Sequence, residues 1–174
     1  NSEEMLESRF GVEDIEKELE KAEEENEYNS RYYTNEEIEQ LAIKASKEAL
    51  HNVKEKIDLI IVASISGRCQ MPSISYELQK YFDIKNCMCM DILAGCAGFI
   101  NALDIAKLYI DSGRACTALV VGVEKLSTHL DINDINTEIL LADGAGAIVI
   151  KKSNDDKLYD LSLIHISEPT RQEA

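Results

Sequence analysis

Of the five cysteines in this chain, Cys96 is the one whose surroundings suit chemistry. It lies in Ala94-Gly95-Cys96-Ala97-Gly98-Phe99, between two runs of different period. Upstream, Cys87-Met88-Cys89-Met90-Asp91-Ile92 is a short apolar run of strand length. Downstream, Phe99, Leu103, Ala106 and Ile110 recur at helical spacing until Gly113, a natural C′ residue. A thiol at that junction sits at the positive end of a helix dipole, which favours thiolate, the nucleophilic form. Ala94 and Gly98, two residues away on either side, let the chain turn sharply and leave the side chain open to a substrate. A buried packing role fits the same spacing equally well, since free cysteine is among the most buried residue types.

The helix expected after Cys96 has one narrow polar stripe, Asn101, Asp104, Lys107 and Asp111, and is otherwise apolar. A helix resting on one sheet needs an apolar face of only about 100°. This one calls for packed layers on more than one side, and few strands are present to supply them. The remaining elements follow from pattern. Thr34-Asn35-Glu36-Glu37 reads as a capping box, followed by Ile38, Leu41, Ala42, Ala45, Ala49 and Val53 on one helical face. A buried strand follows from Ile57 to about Ser64, then a loop through Ser66, Gly67, Arg68, Cys69 and Gln70. Pro72 suits the first position of a helix reaching Phe82. Strands are expected over 116–124, 137–142 and 145–151, with 126–136 polar and irregular. Alternating strands and helices imply an α/β fold with a mostly parallel sheet.

Composition narrows the class of function. The 174 residues suit one domain, with 45% hydrophobic and 6% aromatic content. No apolar run approaches the roughly 20 residues of a membrane span, and the acidic N-terminal segment does not read as a signal peptide. The net charge of −15 is uneven: residues 1–27 carry −9 of it. No surface rich in basic residues points to nucleic acid. An odd number of cysteines without disulfide-type spacing fits reduced thiols and a cytoplasmic location. Cys87 and Cys89 share one strand face, but no second Cys/His pair stands at ligand spacing, so packing is expected there and no metal. From Glu13 to Glu27 the chain reads as a solvated, charged helix.

The motif around Cys96 resembles the nucleophile motif of β-ketoacyl-acyl-carrier-protein synthase III, a condensing enzyme of the thiolase superfamily. Three flanking stretches are similar in order and spacing. These are Ile57-Asp58-Leu59-Ile60-Ile61-Val62-Ala63, Ala118-Leu119-Val120-Val121-Gly122-Val123-Glu124 and Asp143-Gly144-Ala145-Gly146-Ala147. The resemblance covers about Thr34 to Lys152 and implies the first half of a two-half, thiolase-like fold with a central buried helix. It divides the chain into a weakly matched acidic lead (1–33), a synthase-type domain (34–152), a linker (153–160) and a tail (161–174). The tail, Leu161 through Arg171 with His165, reads as an in-frame translation of a sequencing adapter, so His165 is not a catalytic candidate.

The resemblance further implies that Cys96 takes an acyl group from acyl-CoA as a thioester, before decarboxylative condensation with malonyl-acyl-carrier protein in fatty acid biosynthesis. No cofactor beyond these substrates is implied, and the intact parent is expected to be a homodimer. Met71 corresponds to a residue that reaches the partner's acyl pocket, and Leu141 to a second pocket residue. The family's assisting His and Asn belong to its second half, so this chain by itself is expected to be inactive in condensation. His51 and His129 read as surface histidines. Two alternatives remain open: a related condensing or acyl-transfer enzyme of specialised metabolism, and a catalytically incompetent, self-associating fragment. In the fragment reading, the outer apolar side of the helix after Cys96 is expected to be exposed.

Overall fold

The computed structural model describes residues 32–67, 71–130, 141–152 and 161–162. Outside the described residues lie residues 1–31 of the acidic lead and the loop residues Arg68, Cys69 and Gln70. So do positions 137–140 of an expected strand, the linker 153–160 and the tail beyond 162, His165 included.

The chain divides into two compact units. In the larger, Asn35–Glu124 with Gly144–Ala174, the elements follow in the order α1 (Ile38–Leu50), β1 (Leu59–Ala63), α2 (Ile74–Tyr81), β2 (Met88–Ile92), a 3-10 turn (Gly95–Ala97) and α3 (Gly98–Asp111). Then come β3 (Thr117–Lys125), β4 (Asp143–Lys151) and β5 (Leu161–Ser162). The sheet order is β2-β1-β3-β4-β5. β1 runs parallel to both β2 and β3, with Ile61 opposite Met90 on one side and Val120 on the other. β4 and β5 are antiparallel, Ile150 facing Leu161.

β1 is buried on both faces, which is why it reads as an unbroken apolar run instead of an alternating one. Ile60 and Val62 join Leu119, Val121 and Val149 against α1 and α2. Leu59, Ile61 and Ala63 join Ala118, Val120 and Ile148 against α3. Among the described residues, two helices therefore cover one face and one helix covers the other.

The helix starts differ from the pattern-based expectation for physical reasons. α1 begins at Ile38 with Glu37 as its N-cap, not at the Thr34 box. Thr34 falls in the other unit, where its N–H donates to Asp143 Oδ2 at 2.9 Å. α2 begins at Ile74 with Ser73 as N-cap, so Pro72 precedes the helix instead of opening it. The cap comes from a distant residue: Asp91 on β2 accepts the Ile74 N–H at 2.8 Å and the Ser75 N–H at 3.0 Å. That carboxylate satisfies orphan donors and complements the helix dipole. α3 ends as expected, with Gly113 at φ 73°. The Gly113 N–H reaches Ile110 O and the Arg114 N–H reaches Tyr109 O, the paired bonds of a Schellman stop.

α3 buries Gly98, Ala102, Ala106 and Ile110, one row at i, i+4 spacing, against the sheet. Ile100 and Leu108 stay 65% and 58% exposed. Among the described residues only the sheet side of this helix is covered, and its outer apolar side is open as anticipated. No helix among the described residues is long and apolar enough to cross a membrane.

In the smaller unit, Asn1–Thr34 with Lys125–Asp143, a 3-10 turn spans Leu126–His129. Buried Asp143 organises it, accepting the Ser127 N–H at 2.9 Å and the Ser127 hydroxyl at 2.8 Å. Its own N–H donates to Tyr32 O at 2.8 Å.

Candidate active site around Cys96

β1 and β2 end in register at Ala63 and Ile92 while β3 runs on past Gly122 to Lys125, and the chain leaves β2 at that edge through Leu93 and Ala94. A single 3-10 turn, Gly95–Ala97, then leads into α3. Gly95 has φ 54°, a left-handed conformation that costs a non-glycine residue strain. Cys96 rides on this turn and is exposed. It immediately precedes Ala97, the N-cap of α3. The first turn of α3 carries no acidic residue and no side-chain cap. The Gly98 N–H closes the 3-10 turn on Gly95 O, and no carboxylate in the first turn offsets the positive dipole end that the helix presents towards the thiol segment. These are the features that make a thiol nucleophilic: access and a positive dipole end.

Two glycines set how closely this turn sits on the sheet. A Cβ at Gly98 would lie 3.2 Å from Ala63 Cβ on β1. A Cβ at Gly122 would lie 3.1 Å from the Phe99 ring. Gly98 thus serves close helix–strand packing, whereas the left-handed turn itself falls to Gly95. The pattern around Cys96 located the turn but assigned the flexibility to the neighbouring glycine.

The other candidates are distributed unevenly. Met71 belongs to the same unit as Cys96 and is 82% exposed. It lies three residues before Ile74, whose N–H is held by Asp91 on the strand that leads to Cys96. Leu141 lies in the smaller unit and is half-buried. His51 is exposed at the C-cap of α1. His129, in the smaller unit, is also exposed and lies 3.0 Å from the Thr128 hydroxyl through Nδ1. Among the described residues no group of three or more His, Cys, Asp or Glu side chains could hold a metal ion.

The remaining described thiols differ from Cys96. Cys87 and Cys89 are half-buried against the core between the sheet and helices α1 and α2. Burial, followed by the neighbouring Cys89, pushes the Cys87 thiol up to about 12. Burial likewise raises Cys89. Both therefore stay protonated at neutral pH. Unfolding would free Cys87 to ionise near its ordinary 9.0, so its contribution to stability is complete below about pH 9 and is lost as pH climbs towards 12. Iodoacetamide at pH 8 is expected to label Cys96 first and Cys87 and Cys89 last, read by peptide mapping of the folded protein. Preferential labelling of Cys87 would remove Cys96 from its role.

Pattern reading missed two residues. Asp91 sits inside an apolar strand run, and Glu124 ends one. A lone acid in such a run is the signal that could have flagged both, because a partly buried carboxylate needs donors. Each finds backbone N–H groups from a different element.

Comparison with known proteins finds relatives of the sequence and of the fold. The model of the 3-oxoacyl-acyl-carrier-protein synthase III family matches residues 90–166. A β-ketoacyl-acyl-carrier-protein synthase III from Aquifex aeolicus is 43% identical over 121 residues, which are 68% of this chain and 39% of that protein. One from Clostridium acetobutylicum is 41% identical over 136 residues, 76% of this chain and 42% of that protein. The crystal structure of the Aquifex aeolicus synthase superimposes with a TM-score of 0.68 at 41% identity, covering 72% of this chain and 42% of that one.

Proposed function

This chain belongs to the 3-oxoacyl-acyl-carrier-protein synthase III family and spans about two fifths of the length of its curated relatives, and from that premise we propose that it carries the acyl-accepting half of a condensing enzyme. The observation that supports this best is the exposed Cys96 thiol, set on a left-handed turn directly before α3. The Cys96 thiolate attacks the thioester carbonyl of acyl-CoA. A new C–S bond forms to Cys96, the carbonyl-to-CoA sulfur bond breaks, and CoA leaves as a thiolate that takes up a proton from water.

In the whole protein, the acyl group then passes to malonyl-acyl-carrier protein with loss of carbon dioxide, in fatty acid biosynthesis. That step requires donors for the enolate, which the family resemblance places in its second half. The whole enzyme is thus a cytoplasmic homodimer that takes acyl-CoA and an acyl carrier protein as substrates and needs no cofactor. Met71 and Leu141 are its pocket residues, Met71 at the partner's acyl pocket.

Incubation of the 174-residue chain with acetyl-CoA and longer acyl-CoA thioesters tests the first step. The expected result is an intact-mass increase of one acyl group, mapped to Cys96, with release of free CoA thiol. A chain whose Cys96 reacts with iodoacetamide but takes no acyl group from any thioester would overturn the reading.

A further inference from the structure

The β3 face towards α3 carries Ala118, Val120, Gly122 and, by strand alternation, Glu124. Ala118 and Val120 pack in the α3 core, and Gly122 meets Phe99. Glu124 therefore ends this row on the side of the sheet where α3 and Cys96 lie. Among the described residues its carboxylate meets backbone and hydroxyl donors and no basic side chain. Oε1 accepts the Ile65 N–H at 2.9 Å, and Oε2 accepts the Ser66 N–H at 3.1 Å and the Ser66 hydroxyl.

The segment so held runs beside the Cys96 turn. Ala63 is the residue that a Cβ on Gly98 would meet. The next N–H, of Ser64, donates to Ile92 O at the end of β2, at 3.2 Å. Residues 63–66 are thus fixed at one end to the strand leading to Cys96 and at the other to Glu124. Between them Ile65 remains 50% exposed, although an aliphatic side chain gains nothing from water. Charge-assisted hydrogen bonds are the stronger class, and three converge on this half-buried carboxylate, two from backbone N–H groups and one from the Ser66 hydroxyl.

We propose that Glu124 is a positioning residue: by holding the backbone of Ile65 and Ser66 it fixes the Ile65 side chain as an apolar wall beside the Cys96 turn and so limits the size of the group that this thiol accepts. Only the identity of the guest, an acyl chain, rests on the function proposed above. The anchoring acts on any electrophile that carries a chain to Cys96.

Two readouts on the 174-residue chain test it. In Glu124→Ala, the Ile65 and Ser66 amides are expected to exchange hydrogen at least about tenfold faster, while amides of α1 are unchanged. The ratio of Cys96 alkylation rates by N-methylmaleimide and N-octylmaleimide is expected to shift by about fivefold towards the long probe, the factor that corresponds to one net hydrogen bond. Glu124→Gln keeps one acceptor oxygen and should fall between. If Glu124→Ala does not fold, Glu124→Gln and Ser66→Ala carry the test, with smaller shifts in the same direction. Unchanged exchange at Ile65 and Ser66, or both probes changing by the same factor, would overturn the proposal. A shifted probe ratio in a chain that takes no acyl group from acyl-CoA would instead uphold Glu124 and refute the acyl-transfer reading.

Discussion

Cys96→Ala is expected to cut acyl transfer from acyl-CoA at least about 100-fold, because the variant has no nucleophile at the start of α3. The other described thiols cannot substitute. Burial keeps Cys87 and Cys89 protonated, and Cys116, although exposed, precedes β3 at the opposite end of the strand from the Cys96 turn. Its N–H donates to Asp58 Oδ2 at 3.0 Å, which fixes it there. The loss should be chemical and not structural. Cys96 is exposed and buries little, so the melting transition should move by less than about 0.5 kcal/mol. Cys96→Ser is expected to behave in the same way, since a hydroxyl is far harder to ionise than a thiol. Intact-mass analysis after incubation with acyl-CoA, beside a urea melt of each variant, measures both effects. An alanine variant that still gains one acyl group would place the acceptor elsewhere.

The largest loss of stability is expected from Leu119→Ala. Leu119 is fully buried on β3, pairs in register with Ile60 of β1, and packs in the core shared with α1 and α2. Removing a leucine side chain from such a site costs about 2–5 kcal/mol, through lost burial and the cavity left behind. Domains of this size are stable by only about 5–15 kcal/mol. A urea melt should therefore show a much lower midpoint with an unchanged slope. Leu108→Ala serves as the contrast. Leu108 is 58% exposed on α3, so its truncation should cost less than about 0.5 kcal/mol. Equal losses in the two variants would mean that the outer side of α3 is covered in solution, for example by a second copy of the chain.

What could be read from order and spacing is visible in particular elements. The unbroken apolar run Leu59–Ala63 is a doubly covered strand, and such a run has few other uses in a mixed α/β chain. The spacing of Phe99, Leu103, Ala106 and Ile110, closed by Gly113, marked α3 and its stop. These signals are local: each is set by the period of one element and by a glycine just beyond it. The same holds for Cys96, whose place between a strand and a helix is a matter of neighbours in sequence. The family resemblance also rested on contiguous motifs, and the comparisons bear it out.

Tertiary structure decided what depends on residues far apart in the chain. Thr34 looked like a helix cap, yet Asp143, 109 residues away, takes its N–H and the helix starts at Ile38. Ser73 caps α2 by position, but Asp91 supplies the acceptor oxygens. Glu124 closes on Ile65 and Ser66, nearly sixty residues earlier — a pairing made possible only by the parallel alignment of β1 and β3. Local periodicity reports which face of an element is apolar, because that property repeats along the chain. It carries no record of which carboxylate meets which N–H, because that choice is made by the register between strands and by the need to satisfy each buried polar group where the fold places it.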